Sequence, residues 1–252
     1  MNNFNDDLHT IIKSEDGTYT AFSKEYDEHY HSTKDGALKE SLVKHIIPAF
    51  SVIGEEEINI LDICYGLGFN TLATILYVKE HFPSKKINIY SPELDATLVK
   101  SLINFTYPKK FDEIKEIISA LSKDGKYSDE QFYIELFIGD AREYIRRFED
   151  KFHIVYQDAF SPSTNPILWT KEYFSDIKKS MKQDSVLTTY SIAFKTRLAL
   201  YENGLHLYTN SGEYYRTATI ASVKELTQFD LVNMPHKISC NKDIMSLRDA
   251  EI

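Results

Sequence analysis

Acidic side chains mark the carboxyl ends of four apolar segments in this sequence: Asp62, Glu93, Asp140 and Asp158. Carboxylates can accept hydrogen bonds from the hydroxyl and amino groups of a ligand, and they can take a proton from a reacting group. In an open α/β sheet, ligands bind outside the carboxyl ends of the strands. We therefore expect these acids to belong to one polar site at the edge of a sheet.

The first acid is followed by a turn that contains two glycines. An apolar run leads into Cys64-Tyr-Gly-Leu-Gly-Phe-Asn70, and a helical pattern begins near Phe69. Gly66 and Gly68 let the backbone approach a ligand closely, and a helix start offers free N–H groups. Thr71 stands where the dinucleotide fingerprint G-x-G-x-x-G has its third glycine, so that fingerprint is absent. A nucleotide cradle and a plain strand-to-helix turn both fit this segment.

The next two acids follow the predicted second and third strands, residues 87–91 and 132–138. Glu93 is placed to accept hydrogen bonds from ribose hydroxyls, although an acid near a helix start is also stabilised by the helix dipole. Asp140 could accept an adenine amino group and could also cap the following helix, and both roles are compatible.

The predicted fourth strand, residues 153–157, ends at Asp158-Ala-Phe-Ser-Pro162. Its position near a topological switch point favours chemistry at Asp158, although a simple capping turn is the alternative. Phe160, Pro162 and Trp169, the only tryptophan, form a stiff apolar wall beside the carboxylate in this interpretation.

The order of predicted elements indicates an α/β fold. A short hairpin and loop (17–33) and an amphipathic helix (37–47) are expected within an N-terminal extension, residues 1–50. Residues 51–252 are expected to form the main domain. Its remaining elements are a crossover helix at 72–81, a fifth strand at 186–190, a helix at 194–201 and an antiparallel pair at 205–208 and 217–221, joined by Ser211-Gly212.

Composition excludes several classes of protein. No apolar run approaches the roughly 20 residues that span a membrane, and the acidic start of the chain argues against a secretion signal, so we expect a cytoplasmic protein. Cys64 and Cys240 lack metal-binding or disulfide spacing, and His29, His31 and His45 favour structural roles over a metal site.

The net charge of −9 lies entirely in residues 1–139, because residues 140–252 contain 15 basic and 15 acidic residues. A surface that binds nucleic acid must therefore be a limited patch of basic residues on an otherwise acidic or neutral protein. The candidate basic residues are Arg142, Arg146, Arg147, Lys195, Arg197 and Arg216.

Three segments resemble the methyltransferase domain of the bacterial tRNA 5-methylaminomethyl-2-thiouridine biosynthesis proteins, which are class I S-adenosylmethionine-dependent methyltransferases. They are Tyr30 to Glu40, Cys64 to Asn70, and Asp158 to Trp169, and the resemblance covers about residues 20–222. It implies a Rossmann-like, mostly parallel sheet with a C-terminal antiparallel hairpin. The family usually has glycine where this chain has Cys64.

The resemblance also implies a reaction and its partners. The methyl group of S-adenosylmethionine would pass to the aminomethyl nitrogen of the wobble uridine, in the anticodon stem-loop of a tRNA. The flavin-dependent oxidase domain that often accompanies this domain is not found here, so a stand-alone enzyme with a separate upstream oxidase is expected. The expected cofactor residues are Asp62, Tyr65, Gly66, Gly68, Asn70, Glu93, Asp140 and Ala141.

An amine must lose a proton before it attacks a methyl sulfonium, and Asp158 is the predicted residue that holds and helps to deprotonate it. Tyr30, Phe160, Pro162 and Trp169 are the expected substrate residues, because RNA-binding proteins stack unpaired bases on aromatic rings. No metal is expected. Three alternatives remain at this point: an aminopropyltransferase, a small-amine N-methyltransferase, and an inactive binding module on the same fold.

Overall fold

The computed structural model describes residue 4 and residues 8–252. Within this part of the chain, a small antiparallel sheet contains β1 (His9–Lys13), β2 (Tyr19–Ser23) and β3 (Glu28–His29). A second, larger sheet contains β4 (Glu57–Ile63), β5 (Lys86–Glu93), β6 (Lys126–Ser128), β7 (Phe132–Ile138), β8 (Phe152–Gln157), β9 (Met181–Thr189), β10 (His206–Gly212), β11 (Tyr215–Ser222) and β12 (Asp230–Leu231).

The large sheet has the spatial order β12-β10-β11-β9-β8-β4-β5-β7-β6. The five strands from β9 to β7 in this order run parallel. On one side β11, β10 and β12 each pair antiparallel with their neighbours, and on the other side β6 pairs antiparallel with β7. The predicted mostly parallel α/β sheet with a C-terminal antiparallel hairpin is therefore confirmed. The strands that follow β4 are added on one side of it (β5 and β7) and then on the other (β8 and β9). This switch between β4 and β8 creates the crevice where such sheets bind ligands.

Helices cover both faces of this sheet. They are α1 (37–50), α2 (Phe69–His81), α3 (Ala96–Ser101), α4 (Lys115–Asp124), α5 (Ala141–Ile145), α6 (Lys171–Ser180), α7 (Phe194–Glu202) and α8 (Met234–Cys240). Short 3-10 turns occupy Leu102–Asn104, Lys109–Ile114, Pro166–Leu168 and Asp249–Glu251. Buried apolar side chains on the two faces form two core clusters, because strands covered on both sides must be apolar on both sides.

Helix α1 changes pitch in its middle, where Ser41–Ile46 forms a π-helical turn between two α-helical turns. Pro48 has no N–H, so the carbonyl of Val43 lacks its i+5 partner in this wide turn. That carbonyl instead accepts a hydrogen bond from Asn210 Nδ2 at 2.8 Å. The wide turn contains His45, which is fully buried against the sheet.

Several boundaries differ from the sequence prediction. The N-terminal hairpin pairs residues 9–13 with 19–23, whereas the predicted hairpin starts at residue 17, because adjacent Ile11 and Ile12 hide the alternation in β1. The predicted loop after Ser122 contains the edge strand β6, and Ser211 and Gly212 lie in β10, so the turn falls on residues 213–214. Residues 1–3 and 5–7, which contribute to the argument against a secretion signal, lie outside the described residues.

None of the helices in the described ranges combines the length and the apolar character that crossing a membrane requires.

Candidate active site

A cavity of about 1000 Å³ lies at the carboxyl edge of the parallel strands. It brings together most of the residues that the sequence singled out. Those that line it are Tyr30, Tyr65, Gly66, Asn70, Glu93, Asp140, Ala141, Asp158 and Phe160. Asp62, Gly68, Pro162 and Trp169 do not line it.

The glycine turn between β4 and α2 has a backbone that excludes most side chains. Gly66 and Gly68 have φ angles of +52° and +77°, and Cys64 has φ +65°. A Cβ on Gly68 would lie 2.7 Å from the ring of Tyr65, and one on Gly66 would lie 3.1 Å from the ring of Tyr30. The left-handed conformation of Cys64 is one that glycine adopts without strain and that a residue with a Cβ rarely adopts.

Glu93 fastens this turn to the end of β5. One carboxylate oxygen accepts the Gly66 N–H at 2.8 Å, and the other accepts the Asp95 N–H at 2.9 Å. Burial raises the pKa of Glu93, and the backbone hydrogen bonds oppose that effect. Each oxygen keeps a second lone pair, and the residue lines the cavity, so Glu93 can still accept hydrogen bonds from a ligand.

Asp140 is exposed at the start of α5 and caps that helix through the Arg142 N–H at 2.7 Å. The predicted capping role is confirmed. Its carboxylate and the neighbouring Ala141 also face the cavity.

Asp62 lies beneath the cavity and is fully buried. Its Oδ2 accepts a hydrogen bond from Thr71 Oγ1 at 2.7 Å, whereas its Oδ1 has no partner. Burial raises the pKa of Asp62 to about 7. Asn70 interacts with this carboxyl group, and Asn70 Oδ1 is also buried without a partner.

The variant Asp62→Asn should lose a pH dependence of stability that the wild type has. The folded protein binds the Asp62 proton more tightly than the unfolded chain, so the stabilisation is complete below pH 4 and is lost as pH rises through about 7. We expect the free energy of unfolding of the wild type to fall by up to about 4 kcal/mol relative to the variant over this range. Denaturant titrations at pH 4 to 8 measure it, and parallel curves for the two proteins would contradict the assignment.

Asp158 begins the loop after β8 and lies between two polar side chains. Its Oδ2 accepts a hydrogen bond from Asn70 Nδ2 at 2.8 Å, and its Oδ1 lies 3.5 Å from His45 Nε2. Burial acts to raise the pKa of Asp158, but His45, His31 and Asn70 together leave it below its ordinary value. The group is thus an ionised carboxylate that faces the cavity.

His45 interacts with Asp158 in a way that its position in the sequence does not indicate. Its Nδ1 lies 3.0 Å from Thr188 Oγ1 on β9, and its ring packs edge-on against Tyr156. If the Thr188 hydroxyl donates to Nδ1, the proton of the imidazole lies on Nε2, the nitrogen that is 3.5 Å from Asp158. His31, whose pKa burial lowers, also interacts electrostatically with the Asp158 carboxylate.

The loop from Asp158 to Asn165 is held by hydrogen bonds from the core and from the small N-terminal sheet. Trp169 Nε1 donates to the Phe160 carbonyl at 2.8 Å, and Tyr190 donates to the Ala159 carbonyl at 2.9 Å. Glu28 on β3 accepts hydrogen bonds from both the N–H and the hydroxyl of Ser161. The small N-terminal sheet therefore closes over the same cavity.

The predicted aromatic wall is accordingly different in the structure. Trp169 is 1% exposed and packs in the core, so it positions the loop and does not face a substrate. Pro162 borders a separate shallow depression beside Trp169. The aromatic rings that line the cavity include Phe160 and Tyr30, with centroids 5.0 Å apart, and Tyr26, which stacks on Phe160 at 4.7 Å.

Comparison with known proteins agrees with this geometry. Residues 109–225 match a family described as S-adenosyl-L-methionine-dependent methyltransferase. The crystal structure of MnmC2 from Aquifex aeolicus aligns with a TM-score of 0.81 and 29% identity, over 96% of this chain and 79% of that one. The chain is therefore similar in sequence and fold to an MnmC-type methyltransferase domain.

Curated relatives of this MnmC-like chain are longer than it is. An uncharacterized protein of Methanocaldococcus jannaschii is 34% identical over 197 residues, which are 78% of this chain and 54% of that protein. The tRNA 5-methylaminomethyl-2-thiouridine biosynthesis bifunctional protein MnmC of Azoarcus sp. is 27% identical over 77% of this chain and 32% of its own length. The chain thus spans about half of the first relative and a third of the second. Spermidine synthase of Thermotoga maritima, with a TM-score of 0.56 and 17% identity, shares the fold.

The cavity fits the cofactor of the MnmC-like domain, S-adenosylmethionine. Glu93 and Asp140 offer acceptors for the hydroxyl and amino groups of an adenosyl moiety. Among the described residues, the basic side chains that line the cavity are Lys34, Lys44 and Arg216, all away from the glycine turn. This part of the cavity therefore suits a nucleoside without phosphates.

Proposed function

We propose that the protein methylates the aminomethyl nitrogen of 5-aminomethyl-(2-thio)uridine at the wobble position of tRNA. The observation that carries the proposal is the ionised Asp158 carboxylate, held by Asn70 and facing a cavity with aromatic rings beside it. Similarity to MnmC proteins supports the choice of substrate. A separate oxidase that produces the primary amine would act before this enzyme.

S-adenosylmethionine supplies an electrophilic methyl group on a sulfonium. An ammonium has no lone pair for attack, so the site must first accept a proton from the substrate nitrogen. Asp158 would take that proton, which leaves the nitrogen with a lone pair for the methyl group that S-adenosylmethionine would supply, and the sulfur would keep the electron pair of the broken carbon–sulfur bond. A general base of this kind contributes about 10²- to 10⁴-fold to the rate.

The uridine ring is expected to lie against Phe160 and Tyr30. Both rings line the cavity, and Phe160 is fixed through its carbonyl by Trp169. Stacking on aromatic side chains is the usual way in which proteins hold an unpaired RNA base. The small N-terminal sheet, linked through Glu28 to Ser161, helps to exclude water from the reaction.

A small free amine is the alternative acceptor, because carboxylates outnumber basic groups in the cavity lining. The acidic lining residues are Glu25, Glu28, Glu40, Glu93, Asp95, Asp140 and Asp158. The two proposals separate when labelled S-adenosylmethionine is offered with undermodified tRNA in one reaction and with spermidine or putrescine in another. Label in tRNA supports the proposed function, whereas label on the polyamine alone would overturn it.

His45→Ala should lower kcat/KM by about tenfold, the effect of about 1.4 kcal/mol, because His45 Nε2 lies 3.5 Å from Asp158 Oδ1 and favours the ionised form of that carboxylate. His45 lowers the pKa of Asp158, so its loss should move the acidic limb of the pH profile to higher pH. His45→Gln, which keeps a donor, should lie between the wild type and the alanine variant. An unchanged acidic limb in both variants would show that His45 does not act through Asp158.

A further inference from the structure

Most of the basic residues that the sequence offered for nucleic acid are engaged elsewhere. Arg142 pairs with Asp249, and Arg146 pairs with Asp176. Arg147 lies 4.3 Å from the centre of the Phe137 ring, and Arg197 is buried. Lys195 borders the shallow depression beside Trp169. Of the six candidates, only Arg216 lines the large cavity among the described residues.

Arg216 belongs to a group at the mouth of this cavity, which we call the hairpin rim: the exposed Lys34, Tyr214 and Arg216 and the half-buried Lys39. Lys34 and Arg216 line the cavity and are accessible to solvent, and the side chain of Tyr214 is 72% exposed. Lys39 Nζ donates to the Tyr214 carbonyl at 2.7 Å, and Arg216 donates to Ser32 Oγ at 3.0 Å. These bonds fix the tip of the β10–β11 hairpin beside helix α1.

The cavity lining near the glycine turn has the reverse charge. Asp95 is hydrogen-bonded to Glu93, which holds the Gly66 N–H, and Glu25 and Asp140 also line the cavity. The hairpin rim has three basic side chains against the exposed Glu213 and the buried Asp35, which is 3.8 Å from Arg216, so it attracts a polyanion more than the acidic lining does. This uneven distribution of charge around the cavity mouth favours the approach of RNA over the hairpin rim, although the protein as a whole is acidic.

We propose that the hairpin rim is the docking surface for the single-stranded RNA that flanks the methylated nucleotide. Lys34 and Arg216 contact phosphates of that strand, and Tyr214 stacks on an unpaired neighbouring base. Phosphate contacts position the strand so that one nucleotide can enter the cavity towards Asp158. This inference rests on the proposed function, and it names the residues through which the RNA is held.

The test uses a tRNA anticodon stem-loop with a fluorescent label, and it measures binding at several salt concentrations without turnover. Lys34→Ala with Arg216→Ala should weaken binding about tenfold and reduce the salt slope by about 0.7 for each phosphate that the variant no longer binds. Tyr214→Ala should weaken binding about fivefold without changing the slope, since stacking contributes about 1–3 kcal/mol per base. The control is Lys86→Ala with Lys123→Ala, two exposed residues away from the cavity lining, which removes the same two charges and should bind as the wild type does.

The S-adenosylmethionine Kd of each variant shows whether the cavity has kept its shape. If the wild type methylates tRNA and the rim variants bind RNA with unchanged affinity and slope, the docking surface is wrong and the proposed function stands. If the control loses as much affinity as the rim variants, binding is non-specific and the proposal is again overturned. If the wild type neither binds nor methylates tRNA, the proposed function fails and the docking surface fails with it.

Discussion

Asp158→Ala is expected to reduce methyl transfer by at least about 10²- to 10⁴-fold, the range typical of a general base. The carboxylate is the ionised group that faces the cavity between Asn70 and His45, so its loss leaves the substrate ammonium without a proton acceptor. Affinity for S-adenosylmethionine should change much less than the rate, because Glu93 and not Asp158 holds the glycine turn.

Asp158→Asn is the matched variant, since its side-chain oxygen can still accept from Asn70 while it cannot take a proton. Single-turnover rates and cofactor Kd are measured on the same preparations. An active asparagine variant would remove Asp158 from the proton transfer. Equal loss of rate and of cofactor affinity would instead make the residue part of the cofactor site.

Glu93→Ala is expected to raise the Kd for S-adenosylmethionine about 10- to 100-fold, because hydrogen bonds to a charged group contribute about 1.5–3 kcal/mol. Glu93 has two tasks, since it can accept hydrogen bonds from the ligand and it fastens the turn through the Gly66 and Asp95 N–H groups. The variant can perform neither of them.

Glu93→Gln keeps one of the two acceptors for these N–H groups, so its Kd should fall between those of the wild type and the alanine variant. Isothermal titration with the folded proteins gives the three constants. A Glu93→Ala variant that binds the cofactor as the wild type does would exclude Glu93 from the cofactor site.

Much of the fold is predictable because its signals are local. The strand predicted at residues 132–138 has the observed bounds, and the acids at the ends of β5, β7 and β8 meet at one cavity because parallel strands share a carboxyl edge. The edge strand β6 and the C-terminal helix α8 are not predicted. Their segments are short and polar, and packing against the rest of the chain decides their structure.

The parts of the candidate site that the sequence does not predict also depend on how distant segments pack together. Trp169 stands in the same segment as Phe160, yet its ring is directed into the core, and sequence spacing within a loop contains no such direction. The sequence favours a structural role for His45. Its proximity to Asp158 cannot be read from the sequence, because α1 and the end of β8 are far apart in the chain and meet only in the fold. Pro48, three residues after His45 in an apolar helix, is the available sequence signal for an irregular turn at this place. The π turn that forms there also has its free Val43 carbonyl bonded by Asn210, which is distant in the chain.

The central claim is that this enzyme methylates the nitrogen of an aminomethyl group on the wobble uridine. Its most direct test is to incubate the protein and S-adenosylmethionine with tRNA that contains 5-aminomethyl-2-thiouridine, then to digest the tRNA and identify its nucleosides by liquid chromatography and mass spectrometry. We predict conversion of that nucleoside to its methylaminomethyl form by the wild type and none by Asp158→Ala. An unchanged wobble nucleoside, or a methyl group on any other nucleoside, would contradict the claim.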